Sequence, residues 1–510
     1  MKHSSNRRSF LHKTSLGGAA IALADLGIFG QLPAVSAAEA KLDPGVVSLR
    51  PEIEPVVRLI EETPRAKLLE EVATRIKSGK LRYQEVLGAL LLAGVRNVQP
   101  RPSVGFKFHA VLVVNSAHLA SVASPDGERW LPIFWALDEF KSSQARDVKE
   151  GNWTMSAVDE TKIPPGHHAR KAFVDAMDKW DVEAADVAAA SLARNAPANQ
   201  VFELFARYGA RDFRSIGHKA IFVANSFRAL QVIGWRHAEP VLRSLAYALL
   251  NHNGQANPAD SDHDADRPWR QNAELVGKFP KGWRGGALDR DASGEIIASL
   301  REASPAEAAG KVVELLERGV GAQSVYDGLL VGSGELLMRQ PGIIALHAMT
   351  TSNALRYAFN TSASEDTRRR LLLQNASFLT LFRDAMPNRG GVGAAEVDTF
   401  EARGIDGDEA EVVDAIFQDV GRDRQAAAGK LLGQLDGGLD PKLILDTARR
   451  YVFLKGSNSH DYKFSSAVLE DFYQVSPAWR NRYLAASLFN LRGAGDKDNA
   501  LVQRARAALG

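Results

Sequence analysis

Cysteine is absent from this sequence of 510 residues. Its absence excludes disulfide bonds, cysteine nucleophiles and every metal or iron–sulfur site that needs a thiolate ligand. A bound metal would therefore need His, Asp, Glu or water as its ligands. The charge is also nearly balanced, because the chain has 63 Lys and Arg residues and 61 Asp and Glu residues, which gives a net charge of +2. No strong field attracts the chain to nucleic acid or to an anionic membrane, so neither is expected as a partner.

Two common catalytic motifs are missing as well. No Gly-x-Gly-x-x-Gly follows a predicted strand, so no nicotinamide-binding Rossmann unit is visible and the sequence does not support a nicotinamide cofactor. No Gly-x-Ser-x-Gly elbow is present, which makes a serine hydrolase a distant candidate.

The N-terminus has the three parts of an export signal. A basic head with Arg7 and Arg8 precedes an apolar run over residues 16–24, and small residues at 35–37 match a signal-peptidase site. The arginine pair resembles the bacterial twin-arginine motif, which exports folded proteins. We therefore expect residues 1–37 to be a cleaved twin-arginine signal peptide and the export machinery to be a partner. The mature chain is then periplasmic or extracellular, with no stable membrane span.

The remaining chain is dominated by apolar residues spaced three and four apart with charged residues between them, as over residues 56–73. This period predicts amphipathic helices and an all-α fold for residues 38–510. A polar stretch near 252–270 lacks the period and predicts a long loop. The sequence leaves open whether there is one α-helical domain or two halves, 38–255 and 270–510, joined by that loop.

An internal repeat reveals the architecture more directly than any single motif. Each of four units has a helix rich in Ala, Leu and Lys or Arg, a turn marked by Gly or Pro, and a second apolar helix. A histidine then opens a third apolar stretch. The repeat predicts four helical units that form a bundle or a closed solenoid. The histidines are His109, His218, His347 and His460.

The second helix of each unit also carries an acidic residue near one register. If the units pack around a common axis, equivalent positions face one another, and histidines and carboxylates converge. Imidazole and carboxylate ligands from facing helices suit iron, manganese or zinc. The sequence thus predicts a metal site that uses the four histidines, which are also the predicted catalytic residues, together with the acids. The acids are Glu85, Glu203, Asp327 and Asp446.

Both sets of residues also have a structural interpretation. A histidine on an apolar helix is more often a satisfied core residue than a ligand, and acids near helix starts are favoured by N-terminal capping and the helix dipole. The sequence does not decide between these interpretations.

Three histidine segments resemble the questin oxidase-like family. They are residues 108–119, residues 216–221 and residues 345–350. The resemblance implies an α-helical oxidoreductase of the kind associated with oxidative, Baeyer–Villiger-type ring opening of aromatic polyketides with a reduced nicotinamide cofactor. It also implies that His109, His218 and His347 belong to the site.

Two functions from different classes follow. The first is an exported, metal-dependent oxidoreductase whose His-rich site acts on an apolar or aromatic small molecule. The second is an exported helical-repeat scaffold that binds a partner without catalysis, with its histidines in the core. The distance between the histidines separates them, because a closed bundle brings the imidazoles together and an open solenoid holds them about one repeat apart.

Overall fold

Capping residues mark where several helices begin. Ser304 and Glu307 form a capping box, in which each side chain accepts a hydrogen bond from the backbone N–H of the other residue, directly before the helix that opens at Pro305. Asp408 and Glu411 form the same box at a later helix. These side chains satisfy backbone N–H groups that have no partner inside a helix, so short local signals set the helix boundaries.

The structure is a computed structural model that describes residues 45–100, 106–250 and 256–510. Regular structure in these ranges is helical, without a β-strand, which confirms the predicted all-α class. Residues Leu49–Gly510 form one compact unit. The predicted signal peptide, residues 1–37, lies outside the described residues.

The first half of the described chain contains helices that lead up to and include the first two histidine segments. They are α1 (Glu54–Glu62), α2 (Arg65–Lys77), α3 (Tyr83–Asn97), α4 (His109–Leu112), α5 (Val114–Val122), α6 (Leu131–Lys149), α7 (Ala169–Lys179), α8 (Val182–Asn195), α9 (Ala198–Gly209), α10 (His218–Ile233) and α11 (Ala238–Leu249).

The second half contains the other two histidine segments. Its helices are α12 (Arg267–Val276), α13 (Arg290–Glu302), α14 (Pro305–Glu317), α15 (Ala322–Arg339), α16 (Ile343–Thr361), α17 (Glu365–Ala385), α18 (Glu409–Val420), α19 (Arg424–Asp436), α20 (Pro441–Lys455), α21 (Ser459–Asp471), α22 (Pro477–Ser487) and α23 (Ala500–Leu509).

Four of these helices form a closed ring at the centre of the bundle. In order around the ring, α5 packs on α10, α10 on α16, α16 on α21, and α21 returns to α5. Helices α10 and α16 are buried on almost every face, as expected for helices surrounded by others. Each ring helix also packs against the second helix of its own predicted unit, which is α3, α9, α15 or α20. The ring therefore brings together the starts of the four histidine segments.

None of the helices in the described ranges combines the length and apolar character that crossing a bilayer requires.

Candidate metal centre

The four predicted histidines all lie in the first or second turn of their helices. His109 is the first residue of α4, which runs into α5, and His218 is the first residue of α10. His460 is the second residue of α21, and His347 is the fifth residue of α16. Because the helices form a ring, four similar positions along them face one another.

The imidazoles meet in one cluster. The Nε2 atom of His218 lies 3.2 Å from Nε2 of His109 and 3.0 Å from Nε2 of His347. The His460 ring centroid is 4.5 Å from that of His109 and 5.2 Å from that of His347. One ring nitrogen from each of the four residues lies within 4.8 Å of the others. These separations are those of a single cluster rather than of side chains one repeat apart.

Burial keeps three of the four imidazoles uncharged. His347 is 0% exposed and His218 is 4% exposed, and burial is the main reason that the pKa of each lies well below the ordinary value for histidine. Burial, followed by the charge of Lys463, lowers the pKa of His460 to about 3. These three imidazoles are therefore neutral at neutral pH, which is the form that binds metals.

Hydrogen bonds to carbonyl groups fix how two of the rings present their nitrogens. His218 Nδ1 lies 2.7 Å from the Ser215 carbonyl oxygen, and His347 Nδ1 lies 2.6 Å from that of Ile343. A carbonyl only accepts, so each Nδ1 carries the proton and each Nε2 keeps a lone pair. Those two lone pairs face each other at 3.0 Å. Two acceptors at that distance repel, whereas a shared cation satisfies both.

The separation also fits a metal. Two nitrogens bound to one tetrahedral zinc, each at about 2.0–2.1 Å, lie about 3.4 Å apart. Two Nε2–Nε2 separations in the cluster, 3.0 and 3.2 Å, are close to that value. The carbonyl contacts of His218 and His347 are of the kind that usually orient metal-bound imidazoles, in which the ring nitrogen that does not bind the metal donates to a carbonyl oxygen.

A strained turn sets the position of His218. Ile216 has a φ of 44° and Gly217 a φ of 78°, both in the left-handed region that a β-branched residue rarely adopts. A Cβ atom at position 217 would lie 1.9 Å from the Thr351 Oγ1 atom. Only glycine fits here, so the turn lets the start of α10 approach α16 one turn beyond His347. Strain of this kind is typical of functional sites.

A second polar layer lies about two turns further along the ring helices. Asn225 donates to the Leu112 carbonyl oxygen at 3.0 Å, and Asn353 donates to Asp471 at 2.9 Å and to Glu470 at 3.0 Å. These asparagines recur after the histidines in the sequence. In the structure Asn225 joins α10 to α4, and Asn353 joins α16 to α21.

This layer contains a carboxyl group that is stabilised in its neutral form. Burial, followed by the negative charge of Glu470, raises the pKa of Asp471 to about 7. Because the folded-state pKa lies above the unfolded one, the stabilising contribution of Asp471 is complete below about pH 4 and is lost as the pH rises through 7.

We expect Asp471→Asn, which cannot ionise, to gain stability relative to the wild type as the pH rises. Between pH 5.5 and 8 the difference in free energy of unfolding should grow by about 2 kcal/mol, at about 1.4 kcal/mol for each pH unit up to the pKa. Urea unfolding of both metal-free proteins at the two pH values measures it. A difference that does not change with pH would mean that Asp471 is ionised throughout.

The four acids predicted as ligands lie outside the histidine cluster and have structural partners. Glu85 accepts from the backbone N–H of Arg82 at 2.8 Å and caps its own helix. Asp446 forms ion pairs on the surface with Lys442 and Arg449.

The other two acids cap the starts of neighbouring helices. Glu203 accepts from the backbone N–H of Ser364, the residue before α17, at 3.3 Å, and from the Ser362 hydroxyl at 2.7 Å. Asp327 accepts from the backbone N–H of Ser476, the residue before α22, at 3.0 Å. Helix capping therefore explains three of the four acids, since an N-terminus attracts a carboxylate whether or not a metal is near.

Replacing Glu203 by Gln should lower the free energy of unfolding by about 1 kcal/mol, because charge-assisted hydrogen bonds to a helix start become neutral ones. Metal content should stay at the wild-type level. Thermal unfolding and elemental analysis check the two parts. Asp327→Asn is the matched variant. Loss of metal from either variant would show that the replaced carboxylate is a metal ligand.

Lys463 lies near the cluster but is not among the site residues predicted from the sequence. It lies one turn after His460 on α21, is 2% exposed, and its Nζ atom has no hydrogen-bond partner among the described residues. Its charge lowers the pKa of His218, His347 and His460. The spacing of three residues after a predicted ligand was the available signal, because such residues share a helix face.

A scan against protein-family models and searches of curated proteins and of solved structures find no match to this chain.

Proposed function

We propose that this protein is a metal-dependent oxidoreductase whose metal ion is held by His109, His218, His347 and His460. The observation that carries the proposal is that the Nε2 atoms of His218 and His347 face each other at 3.0 Å in a buried site, while the Nδ1 atom of each ring lies against a carbonyl oxygen. Buried nitrogen acceptors at this distance need a donor or a cation between them. A cation is the partner that all four imidazoles can share.

The ligand set favours iron among the metals expected from the sequence. Imidazole suits iron and zinc, whereas manganese prefers carboxylate, carbonyl and water oxygens, and the cluster has no carboxylate among the described residues. Bound iron would supply one-electron chemistry with oxygen. Zinc would supply only Lewis acidity, so the identity of the metal decides between a redox and a non-redox reaction.

The protein's own residues hold the metal and limit access to it. His109, His218 and His347 are buried, which excludes bulk water from three sides of the cluster, whereas His460 is only partly buried. Substrate is therefore expected to enter on the His460 side. The class of substrate we propose is an apolar or aromatic small molecule, and the place of action is outside the cytoplasm, after twin-arginine export.

The test compares iron-loaded and zinc-loaded protein. Metal-free protein is loaded anaerobically with one equivalent of either ion, and oxygen uptake is followed with an electrode in the presence of ascorbate and 2-naphthol. The iron form should consume oxygen well above the rate of free iron, and the zinc form should not. Failure to bind either metal, or iron that binds but does not cycle between its oxidation states, would contradict the proposal.

A further inference from the structure

Lys463 is unusual among the buried cations near the cluster. Lys219, which follows His218 directly, is 1% exposed and lies 2.7 Å from both carboxylate oxygens of Asp212. Lys463 is buried to the same degree, but its Nζ atom has no hydrogen-bond partner among the described residues. A buried ammonium group without an acceptor or a counter-ion is strongly disfavoured.

The nearest acids along α21 are engaged elsewhere. Asp461 accepts from Arg492 at 2.7 Å and from the backbone N–H of Ser457 at 2.8 Å. Glu470 pairs with Arg228 at 2.7 Å, two turns beyond Lys463. The described residues therefore provide no free carboxylate for Lys463.

A metal ion in the cluster would add positive charge to a region that already lacks a free carboxylate for Lys463. The inference rests on the proposed function, in which a divalent cation is bound by four neutral imidazoles. That ion and a protonated Lys463 would add up to three positive charges in a buried region whose other ionic groups are already paired. Burying such a charge without compensation costs far more than folding supplies. Burial lowers the pKa of Lys463 to about 7, so loss of its proton removes one of these charges. The charge of the ion itself still needs compensation, and four neutral imidazoles do not supply it.

We propose that the metal centre binds a small anion, coordinated to the metal and held by a hydrogen bond from Lys463. The chemical class is a compact monoanionic donor, such as a carboxylate or another oxyanion. Two features of the site determine this class of ligand. The metal has only neutral protein ligands, so an anionic ligand is favoured over a neutral one. Lys463 offers N–H groups and no acceptor, which selects a ligand that accepts hydrogen bonds.

The site would thus fix one end of an anionic substrate or hold an anionic co-ligand during turnover. In this role Lys463 positions the anion and is not a metal ligand.

Cobalt(II)-loaded protein provides the test, because the visible bands of cobalt change when a new ligand enters its coordination sphere. The probes are azide, formate and bicarbonate, titrated separately against the wild type, Lys463→Met and Lys463→Arg. Azide detects any small anion, and the other two show whether an oxyanion binds. Lys442→Met removes an exposed lysine near the start of α20, 18 residues before His460, and serves as the matched control.

The wild type should bind azide saturably, and at least one oxyanion should compete with it. Lys463→Met should keep one cobalt per chain but bind azide at least tenfold more weakly, which is what loss of one charged hydrogen bond gives. Lys463→Arg should recover most of the affinity, since arginine keeps the charge and the N–H groups. Lys442→Met should behave like the wild type.

Three results would overturn the inference. One is cobalt protein that ignores all three anions, and another is equal azide affinity with and without Lys463. The third is loss of cobalt from Lys463→Met, which would make the lysine a metal ligand. Failure of the proposed function gives different results. Wild type that binds no stoichiometric cobalt contradicts both proposals, whereas iron that binds but does not cycle contradicts only the redox function and leaves anion binding unaffected.

Discussion

Replacing His347 by Leu is expected to abolish stoichiometric metal binding and to weaken metal affinity by more than about 100-fold, which exceeds the loss caused by changes outside the ligand shell. His347 is the most deeply buried of the four histidines, and its Nε2 atom faces that of His218. Isothermal titration with zinc and elemental analysis of the isolated variant measure the effect.

Stability separates this result from simple misfolding. Leucine has a volume similar to that of histidine and removes one of the two opposed lone pairs, so the metal-free variant should be about as stable as the metal-free wild type. Metal should raise the midpoint of thermal unfolding of the wild type, by mass action on the folded state, but not that of the variant. His167→Ala is the control, because His167 lies in an exposed pair with His168. Full metal binding by His347→Leu would show that His347 is not a metal ligand.

The second large effect is expected at Gly217. An alanine there must adopt a φ of 78° and place its Cβ atom 1.9 Å from Thr351 Oγ1, which is impossible unless α10 and α16 separate. We expect Gly217→Ala to lower the free energy of unfolding by at least about 3 kcal/mol, which combines the cost of the left-handed conformation with that of overpacking. Metal affinity should fall as well, because separating the helices moves His218 away from His347.

Gly282→Ala isolates the conformational part of this cost. Gly282 has a similar φ of 71°, but nothing lies within 4 Å of the position that its Cβ atom would take. The control should lose only about 1 kcal/mol and keep its metal affinity. Urea unfolding and zinc titration of both variants provide the comparison. Equal losses in the two proteins would show that the contact with Thr351 does not hold the cluster together.

The helical class and the histidine cluster were predictable because both depend on residues that recur at regular positions in the sequence. Apolar residues at helical spacing predicted the bundle, and His109, His218, His347 and His460 recur at one place in four units whose other residues differ. A closed ring of similar units brings similar positions together, so recurrence along the chain became proximity in space.

The acids recur for a different reason, which the sequence could not reveal. Glu203 and Asp327 lie in the same register as Glu85, but they cap helices α17 and α22, more than 100 residues further along the chain. A capping carboxylate and a metal-binding one have the same residue type and the same preference for helix starts. Only the contacts across the fold distinguish them.

The burial of Lys463 and the requirement for glycine at position 217 also depend on tertiary contacts. A lysine after a polar turn predicts a solvated side chain, and only the packing of α21 inside the ring shows that Lys463 is buried. Gly217 approaches Thr351, a residue 134 positions later, so its requirement for glycine is visible only in the fold.

X-ray absorption at the metal edge of the isolated protein tests the four-histidine metal site, because it counts the imidazole ligands without needing a substrate. We expect one metal ion per chain with four imidazole nitrogens at about 2.0–2.2 Å and no sulfur scatterer. Protein that holds no stoichiometric metal, or a metal with fewer than three imidazoles, would contradict the account.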